Sequence, residues 1–125
     1  MGYHYAISTS KKQRRARIFF DRTQKGLLER VSHLPRCSLS QRQRATLTNW
    51  PLDLLDTPDH GLALTPHDPA LVGAMLSQLK DGVEGVCSGR EDWICVDTRA
   101  ALEAAIALCD EAKQRQIPVY LFMVP

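Results

Sequence analysis

The chain of 125 residues lacks several features that would have assigned it quickly. It contains no apolar run long enough to span a bilayer, which excludes a transmembrane helix. It has no Cys-x-x-Cys pair, and structural zinc sites usually gather ligands in such close pairs, so no metal is expected. Neither Gly-x-x-x-x-Gly-Lys nor Gly-x-Gly-x-x-Gly occurs, which removes the common nucleotide-binding loops, and no cofactor is expected. Aromatic residues make up only 6% of the chain, and glycine and proline stand at seven each; no segment is low in complexity and no internal repeat is visible. The opening Met1–Ile7 has no apolar stretch behind a basic start, so a secretory signal is not expected. The four cysteines, Cys37, Cys87, Cys95 and Cys109, are therefore expected to be reduced thiols in the cytoplasm.

What is present is an ordinary globular composition, 44% apolar and 24% charged, with an extraordinary distribution of charge. Length and the absence of a linker predict a single domain over 1–125. The net charge is only +2, but residues 1–50 carry eleven bases against two acids, a balance of +9. Residues 51–125 carry five bases against twelve acids, a balance of −7. Such a split fits a polyanion-binding face, a charged protein partner, or a basic half folded against an acidic one.

Period-two alternation predicts strands over 3–8 and 15–20. Tyr3, Tyr5 and Ile7 share one face of the first; Ala16, Ile18 and Phe20 share one face of the second, with Arg15 and Arg17 on the other. The polar stretch Ser8–Gln13 between them predicts a β-hairpin with a basic tip. Asp21 is placed to cap a helix to about Leu34, with Leu27, Leu28, Val31 and Leu34 inward and Arg22, Lys25, Glu29 and Arg30 mostly outside; Pro35 ends it. A weaker helix is predicted over Ser40–Asn49, and the patches Leu52–Leu55 and Leu62–Leu64 read as short strands or packed loop. Asp68-Pro69 starts another helix, with Leu71, Val72, Met75, Leu76 and Leu79 inward, that ends at Asp81-Gly82. Asp92–Val96 reads as a buried strand, Asp97-Thr98 as the cap of a helix to about Gln114, and Ile117–Val124 as a central, nearly all-apolar strand. The fold expected is α/β or α+β: an N-terminal hairpin, three to four helices and a C-terminal parallel βαβ unit in one mixed sheet.

The hairpin supplies the strongest functional candidates. Lys11, Lys12, Arg14, Arg15 and Arg17 fall within seven positions, and Arg22 and Lys25 extend the patch into the next helix. Basic side chains neutralise phosphates while aromatic rings such as Tyr3 and Tyr5 can stack on unpaired bases, so a nucleic acid is the expected partner and an acidic protein the next. A basic edge can also serve only to discourage edge-to-edge pairing, and a second copy pairing along that edge is a further expected partner. A small protein that blocks another protein, such as an antitoxin, an immunity protein or a phage-encoded inhibitor, is the alternative. A small enzyme using Cys37, or His60 and His67, is a second alternative: Arg36 beside Cys37 would favour a thiolate, and Asp59-His60 and His67-Asp68 pair bases with carboxylates. Arginines at 42 and 44 flank, but miss, the place that a phosphatase loop starting at Cys37 requires. Gly82-Val83-Glu84-Gly85 has the spacing of an RNA-clamping loop and is read as a loop.

The segment Leu108–Leu121, under a fifth of the chain, resembles the closing helix and strand of barstar-type ribonuclease inhibitors. The acidic inhibitory helix of that family has no counterpart in the sequence, and the resemblance implies a helix entering a strand and no function.

Overall fold

The computed structural model describes residues 4–10, 18–35, 37–50 and 66–124. Its elements are β1 (His4–Ser8), β2 (Ile18–Phe20), α1 (Arg22–Ser32), α2 (Gln41–Asn49), α3 (Pro69–Val86), α4 (Trp93–Arg115) and β3 (Tyr120–Val124). The result is an α+β arrangement in which, among the described residues, four helices accompany a small three-stranded antiparallel sheet.

The expected hairpin is present. β1 and β2 run antiparallel with Tyr5 opposite Phe20 and Ile7 opposite Ile18, so the two predicted apolar faces coincide. β1 is central: β3 pairs antiparallel along its other side, with Ile7 opposite Leu121 and Ser8 opposite Tyr120. At the start of β3, Val119 exchanges backbone hydrogen bonds with His67. Residues 15–17 of the predicted second strand, and the patches at 52–55 and 62–64, lie outside the described residues.

The helix ends follow from local chemistry. The Asp21 carboxylate accepts the Gln24 amide hydrogen at 2.7 Å while the Gln24 side chain accepts from the Asp21 amide, a reciprocal capping box; Ser40 and Gln43 repeat it at α2. Asp68 caps α3 with Pro69 in its first turn, where no amide donor is missed. At the far end of α4, Gln116 adopts a left-handed conformation (φ 57°) and closes the helix before β3.

Three expectations fail for identifiable reasons. The C-terminal unit is not a parallel βαβ, because Trp93–Val96 forms the first turn of α4 and not a strand. Asp92, not Asp97, caps that helix by accepting the Cys95 amide hydrogen at 3.1 Å. The buried side chains Cys95, Thr98, Leu102, Ala105, Cys109 and Ala112 then recur at helical spacing, while Trp93 is 58% exposed. With no preceding strand, β3 pairs as an antiparallel neighbour of β1, and the order of the described strands is β2-β1-β3. Finally, α3 does not end at Asp81-Gly82 but continues to Val86, so Gly82-Val83-Glu84-Gly85 is helix and not a loop. A Cβ at Gly82 would run into the Val31 side chain, so this glycine lets α1 and α3 approach closely.

The core is continuous. Leu28, Val31, Val72, Met75, Leu76, Leu79, Val83 and Leu102 are fully buried and meet the inward face of the sheet at Ile7 and Phe20. Trp50, just beyond α2, packs edge-on against Tyr5 and Phe20 and ties that end of the chain to the hairpin. The most extensive contact is between α3 and α4, where Gly73 lies close to Cys109. Their connection is clasped by a disulfide between Cys87, at the cap of α3, and Cys95, in the first turn of α4. This corrects the all-thiol expectation: the short turn brings the two Cα atoms to 5.8 Å, within bridging range. Cys37 and Cys109 are free and buried. No helix among the described residues is long and apolar enough to cross a membrane.

Candidate functional site

Of the seven basic residues singled out, Lys11, Lys12, Arg14, Arg15 and Arg17 lie outside the described residues. Arg22 begins α1 with an exposed side chain. Lys25 does not join it. Its side chain is only 4% exposed, its ammonium donates to Glu29 Oε1 at 2.6 Å and sits 5.1 Å from the centre of the Tyr5 ring. A cation held between a carboxylate and a ring is already compensated, so Lys25 is structural and its expected place outside the helix stripe is corrected. Tyr5 is likewise taken, by Lys25 on its face and Trp50 at its edge.

The remaining described charges bear on the question raised by the lopsided sequence. The ion pairs among the described residues are Lys25–Glu29, Lys80–Glu84, Lys80–Glu103, Arg90–Asp92 and Arg115–Glu111. Each joins residues of the same half; none joins the basic half to the acidic half. Arg22, Arg30 and Arg42 are exposed and make no ion pair among the described residues. Among the described residues of the basic half, Lys25 is paired within that half and Arg22, Arg30 and Arg42 are left without a carboxylate. In the acidic half, Lys80 is held protonated above its ordinary range by its hydrogen bond to Glu84 and that carboxylate's charge. The Asp92 carboxyl is pulled below its usual value, first by the Cys95 amide hydrogen and then by Arg90.

One residue was missed by the sequence reading. Phe19 is 41% exposed and packs edge-on against exposed His4, with ring centres 6.3 Å apart. It lies opposite Ala6, on the side of the sheet away from Ile7 and Phe20. The signal was available: alternation that puts Arg15 and Arg17 on one face of the second strand puts Phe19 there too.

Of the residues of the enzymatic alternative, Cys37, His67 and Asp68 are among those described. His60 and Asp59 lie outside the described residues, and His67 is engaged with Val119 through its backbone. Burial pushes the Cys37 thiol above its ordinary value, against the smaller pull of Arg44 and the Leu39 backbone, which is the reverse of an activated thiolate. Cys109 is pushed up to about 12 by burial, with the Asp110 charge adding to it. Among the described residues no group of three His, Cys, Asp or Glu side chains converges.

No protein-family model matches the chain, and no curated protein or solved structure is significantly similar to it.

Proposed function

We propose that the protein is a small non-enzymatic binding protein whose basic N-terminal half grips a nucleic acid. The observation that carries this reading is the absence, among the described residues, of any ion pair between the basic and acidic halves. A balance of +9 in 50 residues raises the local concentration of polyanions and releases their counterions on contact. Lys11, Lys12, Arg14, Arg15, Arg17 and Arg22 take the phosphates. Phe19, not Tyr5, offers a ring for an unstacked base, on the face that strand alternation gives to Arg15 and Arg17. A single strand with splayed bases suits that pairing of one exposed ring with a row of cations.

A cytoplasmic setting goes with this reading through the free thiols Cys37 and Cys109. The Cys87–Cys95 disulfide weighs the other way, since such bonds are rare in a reducing compartment.

The test is binding of a fluorescein-labelled single-stranded oligonucleotide by wild type and Phe19→Ala at fixed salt. Removal of one stacked base is worth about 1–3 kcal/mol, so affinity drops roughly tenfold or more while the salt dependence is unchanged. Equal affinity of the two proteins refutes the role of Phe19, and no binding by wild type at about 50 mM salt refutes the reading as a whole.

A further inference from the structure

Two clefts meet where α1 ends. The first, of about 410 Å³, lies between α1 and the α3–α4 turn; Leu27, Val31 and Ile94 line it beside the disulfide, and its charged lining groups are Arg30 and Arg90. The second, of about 550 Å³, runs on between the segment after α1 and the end of α3; Pro35, Cys37, Gly82 and Gly85 line it, with Asp81 its charged lining group among the described residues. Leu34 and Val86 line both clefts, so the two form one groove, and these shared side chains are 38% and 40% exposed. Sequence reasoning placed Leu34 in the buried stripe of α1, but the helix stops at Ser32 and releases it to the groove.

We propose that this groove docks an amphipathic helical segment of a partner protein, its apolar side chains seated along Leu34 and Val86 and a carboxylate meeting Arg30. Charge decides the chemistry of the occupant. Arg90 is already compensated, since its Nε and Nη2 both donate to Asp92. Arg30 makes no ion pair among the described residues and stands at the mouth of an apolar cleft, where a carboxylate gains a charge-assisted hydrogen bond at the edge of a water-excluding contact. Two open, mainly apolar clefts joined along Leu34 and Val86 suit a helix laid in a groove. Gly85 helps: a Cβ built there meets nothing within 4 Å, so the floor is clear on that side. This surface uses neither the hairpin nor Phe19 and shares only Arg30 with the basic half.

The test uses the full chain and two short synthetic helical peptides sharing one leucine stripe, flanked by glutamates in one and glutamines in the other. Anisotropy should show the glutamate peptide binding about tenfold tighter than the glutamine peptide. Gly85→Trp, which projects a ring into the groove from a position with free space around it, should weaken both peptides by about tenfold or more. Arg30→Gln, an exposed substitution that leaves the core untouched, should abolish the difference between the peptides. Failure of either peptide to saturate at about 1 mM, equal binding of the two by wild type, or an unchanged preference in Arg30→Gln overturns the proposal. Oligonucleotide binding by Gly85→Trp, which lies outside the basic half, stays at the wild-type level, which keeps the failure of one reading separate from the failure of the other.

Discussion

Two glycines on the same helix, three residues apart, should respond to the same substitution with opposite signs. Gly82 and Gly85 both lie inside α3, where replacing glycine by alanine gains roughly 1 kcal/mol of intrinsic helix stability. At Gly85 nothing stands within 4 Å of the added methyl, so Gly85→Ala should realise most of that gain. At Gly82 the methyl would run into the Val31 side chain, which is 1% exposed and packed in the core. Overpacking of that kind costs about 1–3 kcal/mol, so Gly82→Ala should come out destabilised by up to about 2 kcal/mol. For a domain of this size the two variants should be separated by roughly 6–10 °C in Tm, with wild type between them. The assay is thermal unfolding by far-UV circular dichroism, supported by urea melts. Val31→Ala removes the obstructing methyls and leaves a small cavity of its own, so the double variant Val31→Ala/Gly82→Ala should be more stable than the sum of its parts. If Gly82→Ala raises Tm as much as Gly85→Ala does, the close approach of α1 and α3 is refuted.

Three further outcomes follow from named contacts. The Thr98 hydroxyl is buried in α4 with no hydrogen-bond partner, so Thr98→Val, which removes it at nearly constant shape, should stabilise by roughly 1 kcal/mol, whereas Thr98→Ser should destabilise; unfolding melts check both. Reducing the Cys87–Cys95 disulfide frees a loop spanning a separation of 8 residues, which should cost about 2.5 kcal/mol on the loop-entropy relation, read as a lower urea midpoint with the helices retained; an unchanged midpoint contradicts it. Because the folded Asp92 carboxyl holds its proton less tightly than the unfolded one, its support of α4 is complete above the unfolded value of about 3.9 and is lost as pH falls through the folded one. Asp92→Asn keeps a capping acceptor and should remove that part of the acid sensitivity, as followed by circular dichroism between neutral and acid pH.

Much of the local structure was legible because local chemistry dictates it. Asp21 with Gln24, Ser40 with Gln43, and Asp68 with Pro69 each satisfy the first turn of a helix from within a few residues. The hairpin register follows from alternation that faces Tyr5 and Ile7 toward Phe20 and Ile18. The C-terminal topology was not legible, because Trp93-Ile94-Cys95-Val96 is too short an apolar run to distinguish a strand from a helix turn. Once Asp92 caps a helix, the strand on which a parallel unit depended is gone. Lys25 was misplaced for a different reason: its pairing with Glu29 is local, but its burial depends on Tyr5, brought over it by the hairpin. The groove was invisible in the sequence, since α1, the segment after it, α3 and the disulfide turn must all be in place before Leu34 and Val86 share a wall. Phe19 was the opposite case, a residue whose face was fixed by alternation but whose exposure stood out only with the sheet assembled.

The most direct measurement of the central claim is the affinity for a labelled single-stranded oligonucleotide across a series of salt concentrations. If Lys11, Lys12, Arg14, Arg15 and Arg17 meet phosphates without competition from the acidic half, log affinity should fall against log salt with a slope of about −3.5 or steeper, and each charge removed should flatten it by about 0.7. A slope near zero, or one unaltered by replacing those five residues with glutamine, would mean that the basic half holds no polyanion.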